Sequence, residues 1–379
     1  MRDILLTKLS PPLGFDDRIG EKVRIQREIE KLARELFETY EYQEYIPPTL
    51  ERIETFTEAL SSDLLTVPWT EREVRPEEPI RRVKRDFFLV RVTDFEYEKP
   101  IKSYLCVLRP EGTASLCRFI AKLIAKGVSP SVFLPLKVYY IITCFRNEDI
   151  SKLSPTKRRE FTQIGIEYVG NPSLDADIEV FFLGYTLLSK LFPGKVSLRV
   201  SDVNIFKTLC KNSYYTLEER GRMKEYLDKL SKLRVMRMNI EDLQQKIERK
   251  IKNLPNKMKE AWRCVYSLTG GIGEIKMIEE VVGINLEMLK EFLQELKKRG
   301  VGCIFDPAMI RGWEYYTSLV VQFDIIGCEK TYPEVGGGGR YDGLIGNFLR
   351  RYGIEKDVPA TGFALGVERL VEIKYRNRN

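Results

Sequence analysis

Residues 144–170, CFRNEDISKLSPTKRREFTQIGIEYVG, constrain the fold more than any other stretch of the chain. They read as a strand ending in Phe145-Arg146-Asn147-Glu148, a polar loop carrying Lys152, Lys157, Arg158 and Arg159, and a returning strand over residues 161–169. Two such strands pair antiparallel, yet the loop between them is longer than hairpin economy requires. On the returning strand the two-residue alternation puts Gln163 and Glu167 on one face, an amide and a carboxylate four residues apart. With Arg146 near the end of the first strand, the hairpin offers cations for phosphate and polar groups for a small amphoteric ligand. A solvated charged loop between two core strands is the plainer reading of the same residues.

The chemistry open to this chain is narrowed by what it lacks. Its 379 residues include no histidine, which excludes a Ser-His-Asp triad, a histidine base and a histidine metal ligand. Its seven cysteines stand far apart with no CxxC pair, which argues against a zinc site and a disulfide framework and leaves them as small buried hydrophobes. Carboxylates, arginines, lysines and tyrosines remain. At 43% hydrophobic and 31% charged the composition is that of a soluble globular protein. No apolar run approaches the ~18 residues needed to span a membrane, and Met1-Arg2-Asp3 opens no signal-peptide pattern, so a cytoplasmic chain without a membrane partner is expected. A net charge of +7 permits contact with nucleotides or nucleic acid without demanding it.

Along the chain, apolar residues at spacings of three and four predict an amphipathic helix over residues 21–40, ended before Pro47-Pro48 and an extended stretch. Residues 62–84 read as an exposed loop or lid. Strands follow over residues 87–92 and 103–108, separated by 93–100, and the second runs through Leu108-Arg109-Pro110-Glu111-Gly112-Thr113-Ala114 into a helix over 115–126. Glu111 and Thr113 fall beside the free N–H groups of that helix, where capping is the simplest role. Asp175, Asp177 and Glu179 open a helix running to about Leu191, and residues 196–200 form a strand. The pattern over 204–300 is helical (217–233, 240–251, 286–298) and reads as an insertion, since 301–305 resumes strand character. Three segments result: 1–203, 204–300 and 301–379. The insertion's basic face suits a nucleic-acid arm, a partner surface or plain solvation. Near the end stand Arg311-Gly312-Trp313-Glu314-Tyr315-Tyr316-Thr317, the four-glycine run 336–339 and residues 361–370 with Glu368 and Arg369.

The hairpin resembles motif 2 of the class II aminoacyl-tRNA synthetases, and the helix with its proline-bearing extension resembles motif 1, a dimerisation element there. LRPEGTA (108–114), RGWEYYT (311–317), GGRYDGL (338–344) and GFALGVERL (362–370) resemble, in order, four motifs of histidyl-tRNA synthetases. The resemblance spans nearly the whole chain. It implies an α+β fold with a mainly antiparallel sheet of six or seven strands flanked by helices, a helical insertion, and a homodimer. It implies ATP and Mg²⁺ as cofactors and histidine as ligand. Arg146 and Arg369 would hold ATP, Glu148 and the loop cations would cover it, and Arg311 would neutralise the α-phosphate. Glu111, Thr113, Gln163, Glu167, Tyr315 and Tyr316 would form the histidine pocket. Glu314 and Glu368 would help place Mg²⁺; no metal site built by the protein alone is expected.

Two functions follow from the resemblance. The first is a ligase that makes histidyl-adenylate and charges the acceptor arm of a tRNA. This suits a chain without histidine, because an ionised substrate carboxylate needs alignment and charge neutralisation rather than a base. The second is a non-catalytic histidine-binding subunit that regulates a partner, the catalytic subunit of ATP phosphoribosyltransferase. Thr162 in REFTQ is closer to the regulatory-subunit pattern, Glu314 and Ser318 replace the usual Asp and Gly of the histidine motif, and the chain ends ten residues after Arg369 without an anticodon-binding domain.

Overall fold

The computed structural model describes residues 9–59, 87–96, 99–310, 315–328 and 331–378. The predicted first helix is α1 (Glu21–Thr39), whose stripe Ile25, Ile29, Ala33 and Phe37 is wholly buried. Pro47-Pro48 then keeps the chain extended between β1 (Gln43–Glu44) and β2 (Leu50–Arg52), and α2 (Glu54–Ala59) follows. The expected lid over 62–84 lies outside the described residues.

β3 (Leu89–Glu96) and β4 (Lys99–Leu108) pair antiparallel and complete a small sheet in the order β2-β4-β3. The expected break over residues 93–100 is corrected here, because the ladder continues from Thr93↔Ser103 to Glu96↔Lys99. An exposed two-stranded ribbon lives on cross-strand polar pairs, such as Thr93 with Ser103 at 2.9 Å, so it carries no apolar alternation to read.

The main sheet begins after α3 (Thr113–Ala125), with β5 (Leu136–Phe145) and β6 (Glu160–Val169) forming the predicted long hairpin. Helix α4 (Leu174–Leu191) is capped by Ser173, which accepts from the Asp175 N–H at 3.1 Å, and β7 (Val196–Asp202) follows. Asp175 and Asp177 occupy the first turn of α4, where the helix dipole favours negative charge. Asp177 is also the buried ion-pair partner of Arg340.

From β7 the chain leaves through α5 (Val203–Asn212), α6 (Leu217–Val235), α7 (Glu241–Ile251), α8 (Asn256–Ser267), α9 (Ile272–Val282) and α10 (Glu287–Lys298). It returns as β8 (Cys303–Phe305), which pairs parallel to β7, so the six helices form one excursion from the sheet edge. Their core is continuous with that of the sheet: buried Trp262 and Phe292 join Phe181 and Phe323 in one apolar cluster. The remainder is β9 (Leu319–Ile325), β10 (Tyr332–Arg340), α11 (Leu344–Arg350), β11 (Ala360–Gly366) and α12 (Val367–Arg376).

The large sheet runs β1-β5-β6-β11-β10-β9-β7-β8, antiparallel except at its two outer pairs. Among the described residues it has eight strands rather than six or seven; β1, at two residues, is too short to leave a periodic trace. The α+β architecture is as expected. α1, α4 and α12 cover one face, where Ile164 and Ile166 point. A second apolar cluster, including Leu116 and Ile120 of α3 and Phe348 of α11, packs beyond the other face. The glycine run lets β10 and β11 close up, since a Cβ on Gly338 would lie 1.8 Å from the Gly362 carbonyl oxygen.

Candidate active site

Gln163 and Glu167 point away from the α1 and α4 side of β6 into a cavity of about 300 Å³. Glu111, Thr113, Arg146, Glu148, Tyr315, Tyr316 and Arg369 line the same cavity, as do Lys157 and Arg158 of the loop cations; Lys152 and Arg159 do not. Arg311 and Glu314 lie outside the described residues.

The inner end is built around Glu167, which is 1% exposed. One carboxylate oxygen accepts the Thr113 hydroxyl at 2.6 Å and the Tyr140 hydroxyl at 3.2 Å. The other accepts the Tyr341 hydroxyl at 2.5 Å. Burial pushes its carboxyl up to about 8, with nearby Glu111 adding to the rise and the hydroxyl donors opposing it. Tyr140 reaches this carboxylate because β6 and the start of α3 give way: a Cβ on Gly165 or Gly112 would strike its ring at 2.4 or 2.6 Å. Burial likewise holds the Tyr140 and Tyr341 phenols far above their usual range, so they stay donors.

Glu111 has the capping role that its position allows, with its two oxygens accepting the Thr113 and Ala114 N–H groups at 2.8 and 2.7 Å. Burial raises its carboxyl and these N–H groups offset part of the rise. Capping does not remove it from the cavity, since each carboxylate oxygen keeps a further lone-pair direction. Gln163 accepts the Gly112 N–H at 3.2 Å through its carbonyl oxygen; its NH₂ group donates to no other described residue. Tyr315 stacks edge-on to Tyr341, with ring centres 5.8 Å apart.

The mouth is cationic. Arg146 donates to the Pro110 carbonyl at 3.0 Å and lies 5.0 Å above the Phe161 ring, which flattens the guanidinium against the wall. Arg369 donates through Nε to the Thr156 carbonyl at 3.0 Å and through Nη1 to the Glu334 carbonyl. Lys157 and Arg158 of the hairpin loop and Lys232 of α6 complete the rim. Tyr140, Phe161, Tyr341, Lys232 and Glu334 were not singled out from the sequence. The glycine opposite Tyr140, in the string IGIE, was a local sign of Tyr140, and Tyr341 stood inside GGRYDGL.

Glu368 is held from two sides. Both of its oxygens accept the Thr162 N–H, at 2.9 and 2.8 Å, and one pairs with Arg18 at 2.6 Å. It joins β6 to α12 while also lining the cavity. The rim carboxylates are paired to lysine: Glu148 with Lys157 at 3.0 Å, and Asp228 and Glu334 with Lys232 at 2.7 and 3.0 Å. Among the described residues no three acidic or sulfur ligands converge as a metal site. This donor set fits a divalent ion that arrives on a polyphosphate and keeps its waters. Nor is any described helix long and apolar enough to cross a membrane.

The chain is similar to known proteins over most of its length. A family model described as Histidyl-tRNA synthetase matches residues 100–370. A histidine–tRNA ligase of Streptococcus pyogenes is 28% identical over 368 residues, 97% of this chain and 74% of its own length. An ATP phosphoribosyltransferase regulatory subunit of Thermoanaerobacter pseudethanolicus is 27% identical over 366 residues, 94% of this chain and 81% of its own. Among solved structures, a Bacillus halodurans protein described as an ATP phosphoribosyltransferase regulatory subunit/histidyl-tRNA synthetase superposes with a TM-score of 0.70 at 21% identity, covering 96% of this chain and 83% of that one. A histidine–tRNA ligase subunit from Alicyclobacillus acidocaldarius gives 0.68 at 20% identity, covering 97% and 98%. At those identities the structures establish the shared fold.

Proposed function

The chain belongs to the histidyl-tRNA synthetase family, and from the cavity it builds we propose that it binds histidine and ATP and joins them as histidyl-adenylate. The observation that carries this reading is the division of one cavity into a buried carboxylate–hydroxyl end and a cationic mouth. Glu167 and its hydroxyl partners receive the imidazole. Glu111, Thr113 and Gln163 receive the ammonium, and Tyr315 and Tyr316 wall the pocket.

Arg146 and Arg369 hold the triphosphate while Arg311 neutralises the α-phosphate. The histidine carboxylate oxygen then attacks phosphorus, an acyl–phosphate bond forms, and the bond to the β-phosphate oxygen breaks to release pyrophosphate. Mg²⁺ carried on the triphosphate supplies further charge neutralisation on the leaving pyrophosphate. Transfer to the acceptor arm of a tRNA is the next step in this reading, and a homodimer formed near α1 and β2 is its assembly. Ile46, between β1 and β2 and 75% exposed, supplies apolar surface there.

The regulatory reading, histidine binding without turnover on behalf of an ATP phosphoribosyltransferase catalytic subunit, is favoured by one observation. The regulatory-subunit relative matches about as well as the ligase relative. Histidine-dependent exchange of pyrophosphate into ATP separates the two. Exchange with histidine and with no other amino acid supports the ligase. Histidine binding by calorimetry with no exchange overturns it in favour of the regulator.

A further inference from the structure

Glu334 sits inside the bulge where β10 loses register with β9, between Tyr332 and Gly336, with φ +58. A glutamate rarely adopts this left-handed backbone, and it persists where the surroundings over-determine it. Three contacts do so here. Its N–H donates to Asp324 at 2.7 Å. Its carbonyl accepts from Arg369 Nη1. Its carboxylate pairs with Lys232 of α6 at 3.0 Å.

Each contact leads to a different part of the molecule. Asp324 is fully buried and accepts Arg199 of β7 at 2.6 and 3.1 Å. Arg199 donates in turn to Ser231 of α6, which donates to Asp306 at 2.6 Å, and Asp306 accepts Arg234 of α6 at 2.9 Å. The last turns of α6 are thus tied to the sheet twice, through this buried chain and through Lys232. On the other side, Arg369 spans from Glu334 to the Thr156 carbonyl of the hairpin loop.

We propose that Glu334 is the positioning residue for Arg369, and that through Lys232 it makes the placement of this arginine depend on how the six-helix excursion is docked. The left-handed bulge aims the Glu334 carbonyl at the guanidinium, and the Lys232 ion pair holds the bulge from the helical side. A partner that draws α6 away from the sheet loosens Arg369 and the loop over Thr156 together. The consequence for affinity rests on the reading of Arg369 as a triphosphate ligand; the mechanical coupling does not.

The test uses Glu334→Gln and Lys232→Met in the full chain, each also combined with Arg369→Ala. Amide hydrogen exchange of the ligand-free protein is read at Ser154 and Lys157, whose N–H groups close the loop around Thr156. ATP and histidine affinities are read by calorimetry. Each single variant is expected to speed exchange at these two amides and to weaken ATP about five-fold, as for a partly exposed pair acting through a neighbour, with histidine affinity unchanged. Neither should add to the exchange already raised by Arg369→Ala. Unchanged exchange at Ser154 and Lys157 in both single variants overturns the proposal, as does an effect that adds in full to that of Arg369→Ala. A wild-type protein that binds no ATP, with the exchange effect intact, sinks the adenylate-forming reading and leaves the coupling standing.

Discussion

The Thr113 hydroxyl donates to Glu167 at 2.6 Å, joining the first turn of α3 to the middle of β6 and bringing LRPEGTA against the returning strand of the hairpin. Tyr140 and Tyr341 donate to the same carboxylate, which leaves room for about one more donor on its ~four lone-pair sites. Because burial pushes this carboxyl up to about 8, the ligand-free cavity holds a proton at neutral pH. In the proposed complex, Glu167 and the imidazole also hold one proton between them. Below about 6.5 free histidine carries an extra proton that must leave, and above about 8 the free pair has none and must gain one. Histidine affinity is therefore expected to be flat between these values and to fall on either side. Glu167→Gln should weaken histidine about 10- to 100-fold and abolish the alkaline limb. Calorimetry across the pH range checks this; an alkaline limb that survives the substitution contradicts it.

The same group sets a stability trend. Its folded value lies above the ordinary 4.5, so the protonated form is favoured by folding, and the stability it contributes is complete below about 4.5 and lost as pH rises through about 8. The Tm of the ligand-free protein should carry this decline, and Glu167→Gln should lack it.

Arg311→Ala tests the division of labour at the mouth. Neutralising charge that develops on the α-phosphate matters in the transition state more than in the bound state. The substitution should lower histidine-dependent pyrophosphate exchange by about 10²- to 10³-fold while leaving histidine affinity and Tm in place. Unchanged exchange would remove this role from Arg311.

Much of this site was legible in the chain because strand alternation is local. Gln163 and Glu167 share a face by spacing alone, and the opening of α3 was marked by Pro-Glu-Gly-Thr. Tyr341 was visible inside GGRYDGL, but where its hydroxyl goes depends on the pairing of β10 with β11, which no local pattern encodes. Lys232 and Glu334 meet only because α6 packs against β10, a contact between segments about a hundred residues apart that no local pattern encodes. The capping role of Glu111 and its place in the cavity proved compatible, because one carboxylate can face both ways. The ribbon of β3 and β4 was read short for the opposite reason, since its exposed pairs are polar.

The buried chain beneath α6 should dominate the stability of the helical excursion. Asp324→Asn leaves Arg199 buried beside Asp306, 3.5 Å away, without its bidentate partner, and a broken buried pair typically costs about 3 kcal/mol. The urea midpoint should fall with the slope unchanged. By contrast, removing the bidentate Arg263–Glu248 pair on the surface of the excursion should leave that midpoint where it is. Equal losses at the two pairs would contradict this account.

The glycines of β10 and β11 separate packing from binding. A Cβ on Gly338 would lie 1.8 Å from the Gly362 carbonyl oxygen and 2.6 Å from the Phe363 Cα, both backbone atoms that cannot turn aside. Gly338→Ala therefore pushes two paired strands apart and should cost about 2–3 kcal/mol in the urea midpoint. On Gly362 the Cβ would fall 1.6 Å from the Glu167 carboxylate, which three hydroxyls hold in place, and 2.6 Å from the Ile166 carbonyl. Gly362→Ala should thus abolish histidine binding in whatever protein remains folded. Gly343→Ala is the control, since its Cβ meets nothing within 4 Å and its backbone is not left-handed. If Gly362→Ala folds and binds histidine as tightly as the Gly343→Ala protein, Glu167 is not the residue that receives the imidazole.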